Sequence, residues 1–173
     1  MKIYFDLDDT LINFGGVTEM AWEQAVEKML EKYSEVIVSA EKLTQEILKV
    51  NIIYWADDRN HKSGNKSIHD ARKGILLEAF TNIGLYKSTE YITFLLDNYP
   101  TFKEAAVHIL PNVHETLATL KKMNYKLALI TNGASGRQRE KLERFNLEQY
   151  FDFIWISDEQ EFSKPDERVY KRV

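Results

Sequence analysis

Cysteine is absent from this chain of 173 residues, and so is any excess of basic residues, because the formal net charge is −4. The first absence excludes disulfides, thiol chemistry and zinc sites built on Cys ligands, and it fits a cytoplasmic location. The second argues against a nucleic-acid partner. No apolar run approaches the ~18 residues of a membrane helix, and the run from Met1 meets Asp6 too soon for a signal peptide. We therefore expect a globular cytoplasmic protein that binds neither nucleic acid nor membrane.

Three short apolar runs have the composition of buried strands, namely Lys2–Phe5, Lys126–Thr131 and Phe151–Ser157. The second and third are nearly continuous in apolar character, which is typical of parallel strands covered on both faces. Helical patterns precede each of them, over Asn112–Met123 and Arg137–Phe145. Alternation of helix and strand predicts an α/β fold with a Rossmann-like parallel sheet.

The region between the first strand and the rest of this core lacks strand signals. Apolar residues at helical spacing predict four helices there, and the paired glycines Gly15 and Gly16 suggest a hinge that leads into them. A polar loop is expected at Asp57–Asn65. We therefore predict an all-helical domain over residues 15–106, inserted into a discontinuous α/β core of residues 1–14 and 107–173. The four helices are Thr18–Tyr33, Ala40–Ala56, Ser67–Ile83 and Thr89–Asn98.

An acidic segment, DLDDTL, directly follows the first strand. Its three carboxylates, Asp6, Asp8 and Asp9, repel one another, so they need a compensating cation or a special loop. Ligands of open α/β sheets bind beyond the carboxyl ends of the strands, where Asp6 is expected, and a hard cation such as Mg²⁺ prefers oxygen ligands. Taken alone, a segment of this kind is more often a simple acidic turn after a strand.

Two further polar groups follow the other predicted strands. Thr131-Asn132-Gly133 offers a hydroxyl and backbone N–H groups to a phosphoryl oxygen, and the glycine permits a close approach. Lys164, in a loop after the third strand, can neutralise phosphoryl charge. Each is a weak signal by itself. Because all three groups lie at carboxyl ends of one sheet, we expect them to converge on a single anion.

In this order, DLDDTL, LITNG and KPD resemble the first three motifs of the haloacid dehalogenase-like hydrolases, which are mostly phosphatases. The residues of DLDDTL and TNG are most similar to those of the subgroup that contains nucleotidases and acyl-sugar phosphatases. The resemblance implies that the helical insertion is a cap and that the enzyme is a Mg²⁺-dependent phosphatase acting through an aspartyl-phosphate. Its substrate would be a small phosphorylated metabolite, such as a nucleoside monophosphate or a sugar phosphate. The protein could also form a homodimer.

The same resemblance implies a role for each matched residue. Asp6 would be the nucleophile and Asp8 the general acid and base, and both would ligate Mg²⁺, Asp8 through its carbonyl. Thr131 and Asn132 would hold the phosphoryl group. Lys164 would stabilise charge on Asp6 and on the phosphoryl oxygens. A second Asp at position 8 also favours a phosphatase over a dehalogenase, because a departing halide needs no proton.

The fourth motif of that family, an acidic cluster that supplies another metal ligand, has no match. The sequence stops at Val173, nine residues after Lys164, within a helix that we expect to begin at Pro165. We expect a truncated family member that lacks the C-terminal part of the core, so that the first strand lies at a sheet edge. Acidic residues before the lysine are not expected to ligate metal; they are Asp158, Glu159 and Glu161.

Two other functions stay open. A truncated or inactive family member could act as a binding protein, and a receiver-like phosphoacceptor also combines an Asp, a Thr and a Lys around Mg²⁺, although it has no such insertion. Aromatic residues of the insertion are expected in its core rather than on a ligand, namely Trp22, Tyr54 and Trp55. A charged helix face is interpreted as solvated surface; it comprises Arg137, Arg139, Lys141 and Arg144.

Overall fold

A computed structural model of the chain describes residues 1–57, 68–85 and 89–172. The chain divides into two compact units, one of Met1–Gly16 with Val107–Val173 and one of Val17–Ala106. Apart from Asp57, the predicted polar loop Asp57–Asn65 lies outside the described residues. Among the described residues, no helix is both long enough and apolar enough to cross a membrane.

A parallel sheet of three strands forms the centre of the first unit. Its strands are β1 (Lys2–Phe5), β4 (Lys126–Thr131) and β5 (Phe153–Ile156), and β4 lies between the other two. The predicted parallel α/β core is therefore confirmed. β5 is shorter at both ends than the predicted Phe151–Ser157. At its C-terminal end it stops because a 3₁₀ turn begins at Ser157.

The burial of the strands follows from their order in the sheet. In β4, Leu127 to Thr131 are all buried, as the nearly continuous apolar run predicts for a parallel strand covered on both faces. In β1, Lys2 and Tyr4 are exposed while Ile3 and Phe5 are half-buried. Among the described strands, β1 pairs with β4, with Phe5 opposite Leu129, and it lies at an edge of this sheet as expected.

A second, antiparallel pair was not predicted. It consists of β2 (Ile12–Asn13) and β3 (His108–Ile109), with Ile12 opposite Ile109. Strands of two residues are too short to show an alternating pattern, so the sequence carries no signal for them. The pair joins the N-terminal segment of the α/β unit to the point where the chain re-enters that unit.

Three helices complete the α/β unit: α5 (Val113–Lys122), α6 (Ser135–Arg144) and α7 (Glu167–Arg172). The prediction that the last helix begins at Pro165 is wrong. Asp166 takes the N-cap position instead, because its Oδ1 accepts the Arg168 N–H at 2.9 Å. The Arg168 side chain also hydrogen-bonds this carboxylate, and together these contacts lower the pKa of Asp166 to about 2.

Four helices lie among the described residues of the second unit. The predicted helix Thr18–Tyr33 ends one residue early, at Lys32, and the predicted helix Ala40–Ala56 is confirmed. The predicted helix Ser67–Ile83 ends one residue early, at Asn82, and Ser67 lies outside the described residues. The longest helix continues to Ala106 instead of ending at Asn98, and it contains Pro100, which lacks an N–H. Packing of Tyr99 and Phe102 in the core outweighs the lost hydrogen bond. The helices are α1 (Thr18–Lys32), α2 (Ala40–Ala56), α3 (Ile68–Asn82) and α4 (Thr89–Ala106).

The aromatic residues of this unit serve its core. Trp22 is 2% exposed and stacks on Tyr99 with ring centroids 3.7 Å apart and an interplanar angle of 13°. Tyr54 and Trp55 are half-buried and meet edge to face, and the Trp55 indole N–H donates to Asn51. These contacts agree with the interpretation of the three residues as packing groups.

One carboxylate, Asp152, fixes the start of β4 against the segment before β5. It accepts hydrogen bonds from the Lys121 ammonium, the Leu127 N–H and the Lys126 ammonium, and these contacts hold its pKa well below the usual range. Because the folded state lowers this pKa, the stabilisation is present above about pH 4 and is lost as pH falls through the lower folded value.

We expect Asp152→Asn to lower the midpoint of denaturant unfolding at pH 7, and the deficit relative to the parent protein to shrink steadily below pH 4. Glu140→Gln provides the control, because Glu140 is an exposed acid on α6. Unfolding curves followed by circular dichroism at several pH values measure the effect. A deficit that stays constant down to pH 2 would contradict this account.

Candidate active site

The loop after β1 is anchored by Leu7, whose side chain is fully buried. The Leu7 carbonyl accepts the N–H groups of Leu11 at 2.9 Å and Ile12 at 3.2 Å, which closes a tight turn. Asp6 and Asp8, on either side of the buried leucine, therefore carry their carboxylates to the end of the sheet. Asp9 adopts a positive φ of 59°, a conformation that Asp tolerates better than most residues.

Asp6 and Lys164 are in direct contact. The Lys164 Nζ lies 2.6 Å from Asp6 Oδ2, while Asp6 Oδ1 accepts the Leu7 N–H at 2.7 Å. Residues separated by most of the chain thus meet beyond the carboxyl end of β1, as the sequence predicts for these two. The Asp6 side chain is 41% exposed, so the carboxylate is held in place and still open to a small molecule.

Asn132 positions Lys164 through the backbone. Its amide nitrogen donates to the Lys164 carbonyl at 3.0 Å, and the Lys164 N–H donates to its Oδ1, also at 3.0 Å. This reciprocal pair joins the loop after β4 to the loop before α7. The structure therefore brings Asn132 into the predicted cluster, and its side chain is engaged with the protein.

Thr131 is the last residue of β4 and is only 1% exposed. Its hydroxyl accepts a hydrogen bond of 2.6 Å from the Gln138 amide nitrogen and donates to the Asn132 carbonyl at 3.3 Å. Gly133 follows with φ of +127°, a conformation in which any side chain would be strained, and its N–H donates to Ser157 Oγ. The predicted turn after β4 is thus present, and its threonine is linked to Gln138.

Asp8 is held by two side chains of α6. Lys141 Nζ lies 2.8 Å from Asp8 Oδ1, and Gln138 Nε2 donates to Asp8 Oδ2 at 3.2 Å. Lys141 also donates to Gln138 Oε1 at 2.9 Å. The interpretation of Lys141 as solvated surface is therefore wrong, because this residue is 4% exposed and belongs to the site.

Sequence reasoning missed both α6 residues for a physical reason. The run RQREKLER has the charge density of a solvated helix, and nothing local indicates that Lys141 has a partner at Asp8. The available signal was spacing, because Gln138, Lys141 and the fully buried Leu142 lie on one face at intervals of three and four residues.

α6 itself is tied down by the acidic residues that follow β5. The Ser135 N–H donates to Asp158 Oδ2 at 2.9 Å, and the Arg139 guanidinium lies 2.8 Å from Glu159 Oε2. Hydrogen bonding by Arg139 lowers the pKa of Glu159. Asp158 and Glu159 thus fix the helix that carries Gln138 and Lys141.

The repulsion expected among the three carboxylates is resolved within the chain. Asp6 faces Lys164 and Asp8 faces Lys141, whereas Asp9 Oδ1 accepts the backbone N–H groups of Phe14 at 2.9 Å and Gly15 at 2.7 Å. Each carboxylate therefore has its own hydrogen-bond donors. The two catalytic candidates are paired with lysines, Asp6 with Lys164 and Asp8 with Lys141.

A hard cation would find oxygen ligands here, because the Asp6 carboxylate and the Asp8 carbonyl are the donor types that Mg²⁺ prefers. Within residues 1–57, 68–85 and 89–172, no group of three or more His, Asp or Glu side chains is arranged as a metal site. The donor chemistry fits Mg²⁺, which commonly keeps several waters and binds through one or two carboxylates.

Comparison with known proteins agrees with this geometry. The family model described as haloacid dehalogenase-like hydrolase matches residues 3–173. The chain belongs to this family. Family membership confirms the resemblance drawn from DLDDTL, LITNG and KPD, whose residues the structure brings together at one end of the sheet.

Individual relatives in this family include phosphatases. A glyceraldehyde 3-phosphate phosphatase of Methanothermobacter thermautotrophicus is 29% identical over 99% of this chain and 69% of its own length. The pyrimidine 5′-nucleotidase YjjG of Escherichia coli is 29% identical over 97% of this chain and 67% of its own length. The chain thus spans about two thirds of the length of these curated relatives.

The fold has matches among solved structures. The HAD-hydrolase YfnB of Bacillus subtilis, described as bound to magnesium, superposes with a TM-score of 0.66 over 98% of this chain and 71% of its own, at 21% identity. At that identity the likeness shows the fold alone, which is the predicted Rossmann-like α/β architecture.

Proposed function

We propose that this protein is a Mg²⁺-dependent phosphatase that hydrolyses a small phosphomonoester through an aspartyl-phosphate on Asp6. The observation that carries the proposal is the 2.6 Å contact between Asp6 and Lys164 beyond the end of β1. It combines a nucleophile with the cation needed to offset phosphoryl charge. Phosphoryl transfer depends mainly on such positioning and electrostatic stabilisation.

In the first step, an Asp6 carboxylate oxygen attacks phosphorus as the bond to the leaving oxygen breaks. Asp8 enters this step as the acid, gives its proton to the leaving alkoxide and is left as the carboxylate that Lys141 faces. In the second step, Asp8 takes a proton from water, the water oxygen bonds to phosphorus, and the bond to Asp6 breaks to release phosphate. Such proton transfers typically contribute ~10²–10⁴-fold in rate.

The remaining site residues would bind the transferred group. Lys164 would interact with the phosphoryl oxygens as well as Asp6, and Thr131 and the Asn132 backbone would contribute hydrogen bonds. Mg²⁺, held by Asp6 and the Asp8 carbonyl, would neutralise negative charge on the phosphoryl oxygens. Because the Thr131 hydroxyl is bonded to Gln138, we expect it to redirect its own hydrogen when phosphate binds.

We propose the substrate class from the named activities of the relatives. Glyceraldehyde 3-phosphate phosphatases and pyrimidine 5′-nucleotidases both act on small phosphomonoesters by name. We propose a substrate of that size for this protein, with the helical unit Val17–Ala106 serving as the cap that selects it. The residue roles assigned to the α/β unit apply to any small alkyl phosphomonoester.

Phosphate release from a panel of esters tests the proposal. We expect the purified protein to hydrolyse at least one of glyceraldehyde 3-phosphate, pyrimidine 5′-monophosphates and p-nitrophenyl phosphate when Mg²⁺ is present. Chelation with EDTA should lower the rate at least about 10-fold, because charge on the phosphoryl oxygens is then left uncompensated, and added Mg²⁺ should restore it.

The same measurements separate the rival functions. A receiver-like phosphoacceptor would retain a stable phosphoryl label on Asp6 with little phosphate release, whereas a binding protein would acquire no label. Either result, or release that is unaffected by EDTA, would contradict the proposed phosphatase.

A further inference from the structure

The mechanism above gives neither Lys141 nor Gln138 a part in proton transfer, yet both side chains are buried at the site. They lie three residues apart on α6 and so share one face of that helix. Together they hold both oxygens of Asp8, with Lys141 on Oδ1 at 2.8 Å and Gln138 on Oδ2 at 3.2 Å.

Burial of the lysine requires an explanation, because a charged group taken out of water is costly unless it is paired. The Lys141 side chain is 6% exposed, whereas that of Asp8 is 27% exposed. The ammonium donates to Asp8 and to Gln138 Oε1, and it lies 3.8 Å from the centroid of the Phe14 ring, within cation–π distance. Three contacts, one of them to Asp8 itself, therefore fix the position of the Lys141 ammonium.

Gln138 connects Asp8 to the phosphate-binding turn. Its Nε2 is within hydrogen-bond distance of Asp8 Oδ2, Thr131 Oγ1 and the Asn132 carbonyl, at 3.2, 2.6 and 3.2 Å. Acceptance of the Lys141 hydrogen bond by Oε1 sets the orientation of the amide. The pair thus joins the loop after β1 to the loop after β4.

We propose that Lys141, oriented by Gln138, is a positioning residue that holds the Asp8 carboxyl in place for proton transfer. The inference rests on the proposed phosphatase mechanism. Lys141 stays bound to Asp8 Oδ1. Asp8 Oδ2, whose contact with Gln138 is longer, gives the proton to the leaving group and later takes one from water. The alternative is a purely structural role, in which the ion pair only fixes α6 against the sheet.

Leaving-group dependence distinguishes these two roles. An alkyl ester needs a proton on its departing oxygen, whereas p-nitrophenolate leaves without one. In single-turnover experiments, we expect Lys141→Met to slow cleavage of an alkyl phosphomonoester by ~10²-fold, at the low end of proton-transfer effects, and to change p-nitrophenol release by less than about 3-fold.

Two companion variants and one control complete the test. Lys141→Arg keeps the cation and should recover most of the alkyl-ester rate. Gln138→Met leaves the ion pair intact and should show the same ester dependence with a smaller loss, which serves also if Lys141→Met does not fold. Arg137→Met removes a cation from the exposed face of the same helix and should change neither rate.

An equal loss on both esters, or no loss on either, would overturn the positioning role. If the parent protein cleaves neither ester, the proposed phosphatase function itself fails, and that result is distinct from the other two. Circular dichroism and thermal midpoints of each variant identify losses that come from unfolding.

Discussion

Asp6→Asn should lower phosphate release by at least about 10³-fold, because the amide cannot form the acyl phosphate through which turnover is proposed to pass. The substitution keeps the shape of the side chain and its ability to accept the Leu7 N–H, so folding should be little affected. Acid-quenched samples of the parent protein incubated with radiolabelled substrate should contain protein-bound phosphate, and those of the variant should contain none.

Asp9→Asn provides a matched control in the same loop. Asp9 Oδ1 accepts two backbone N–H groups, which an Asn oxygen can also do, and Asn tolerates the positive φ at this position. The same change from carboxylate to amide, three residues away, should therefore leave turnover within about 3-fold, as for other substitutions outside the chemistry. Comparable losses in both variants would show that Asp6 acts through the charge of the loop and not as a nucleophile.

Trp22→Ala should destabilise the helical unit by about 3–5 kcal/mol, the usual cost of removing a large aromatic side chain from a packed core. The indole is almost fully buried and stacks on Tyr99, so its loss leaves a cavity in the cluster that all four helices share. Because whole domains are stabilised by only ~5–15 kcal/mol, this is the largest effect on folding that we predict. Denaturant unfolding followed by far-ultraviolet circular dichroism measures it.

Met20→Ala is the control on the same helix. Met20 is 43% exposed, so its truncation should change the free energy of unfolding by no more than about 0.5 kcal/mol. If the two variants unfolded at similar denaturant concentrations, Trp22 would not be the packing centre that its burial indicates.

The sequence was sufficient for the elements whose signal is local. The run of β4 is nearly continuous in apolar character, so it predicted a parallel strand covered on both faces, and the strand is buried from Leu127 to Thr131. The proximity of Asp6 and Lys164 was likewise predictable, because each follows a strand of one parallel sheet. A parallel sheet collects the carboxyl ends of its strands at one edge, whatever the length of chain between them.

What could not be predicted depends on contacts between distant residues. Lys141 has the sequence context of a surface residue, and only the folded chain provides Asp8 as its partner. Pro100 likewise suggests a helix end, but packing of neighbouring side chains carries the helix six residues beyond it. In both cases tertiary structure outweighed a sound local preference.

The two hydrogen bonds between Asn132 and Lys164 have a consequence for how this site can vary. The Asn132 side chain bonds the backbone carbonyl and N–H of Lys164, so it holds the backbone at position 164 whatever side chain stands there. A substitution such as Lys164→Arg would therefore keep the positive charge near Asp6 and change its shape and hydrogen bonding, while both backbone hydrogen bonds remain. The backbone conformation at position 164 is therefore independent of the side chain that faces Asp6, and that side chain can change without loss of the loop structure.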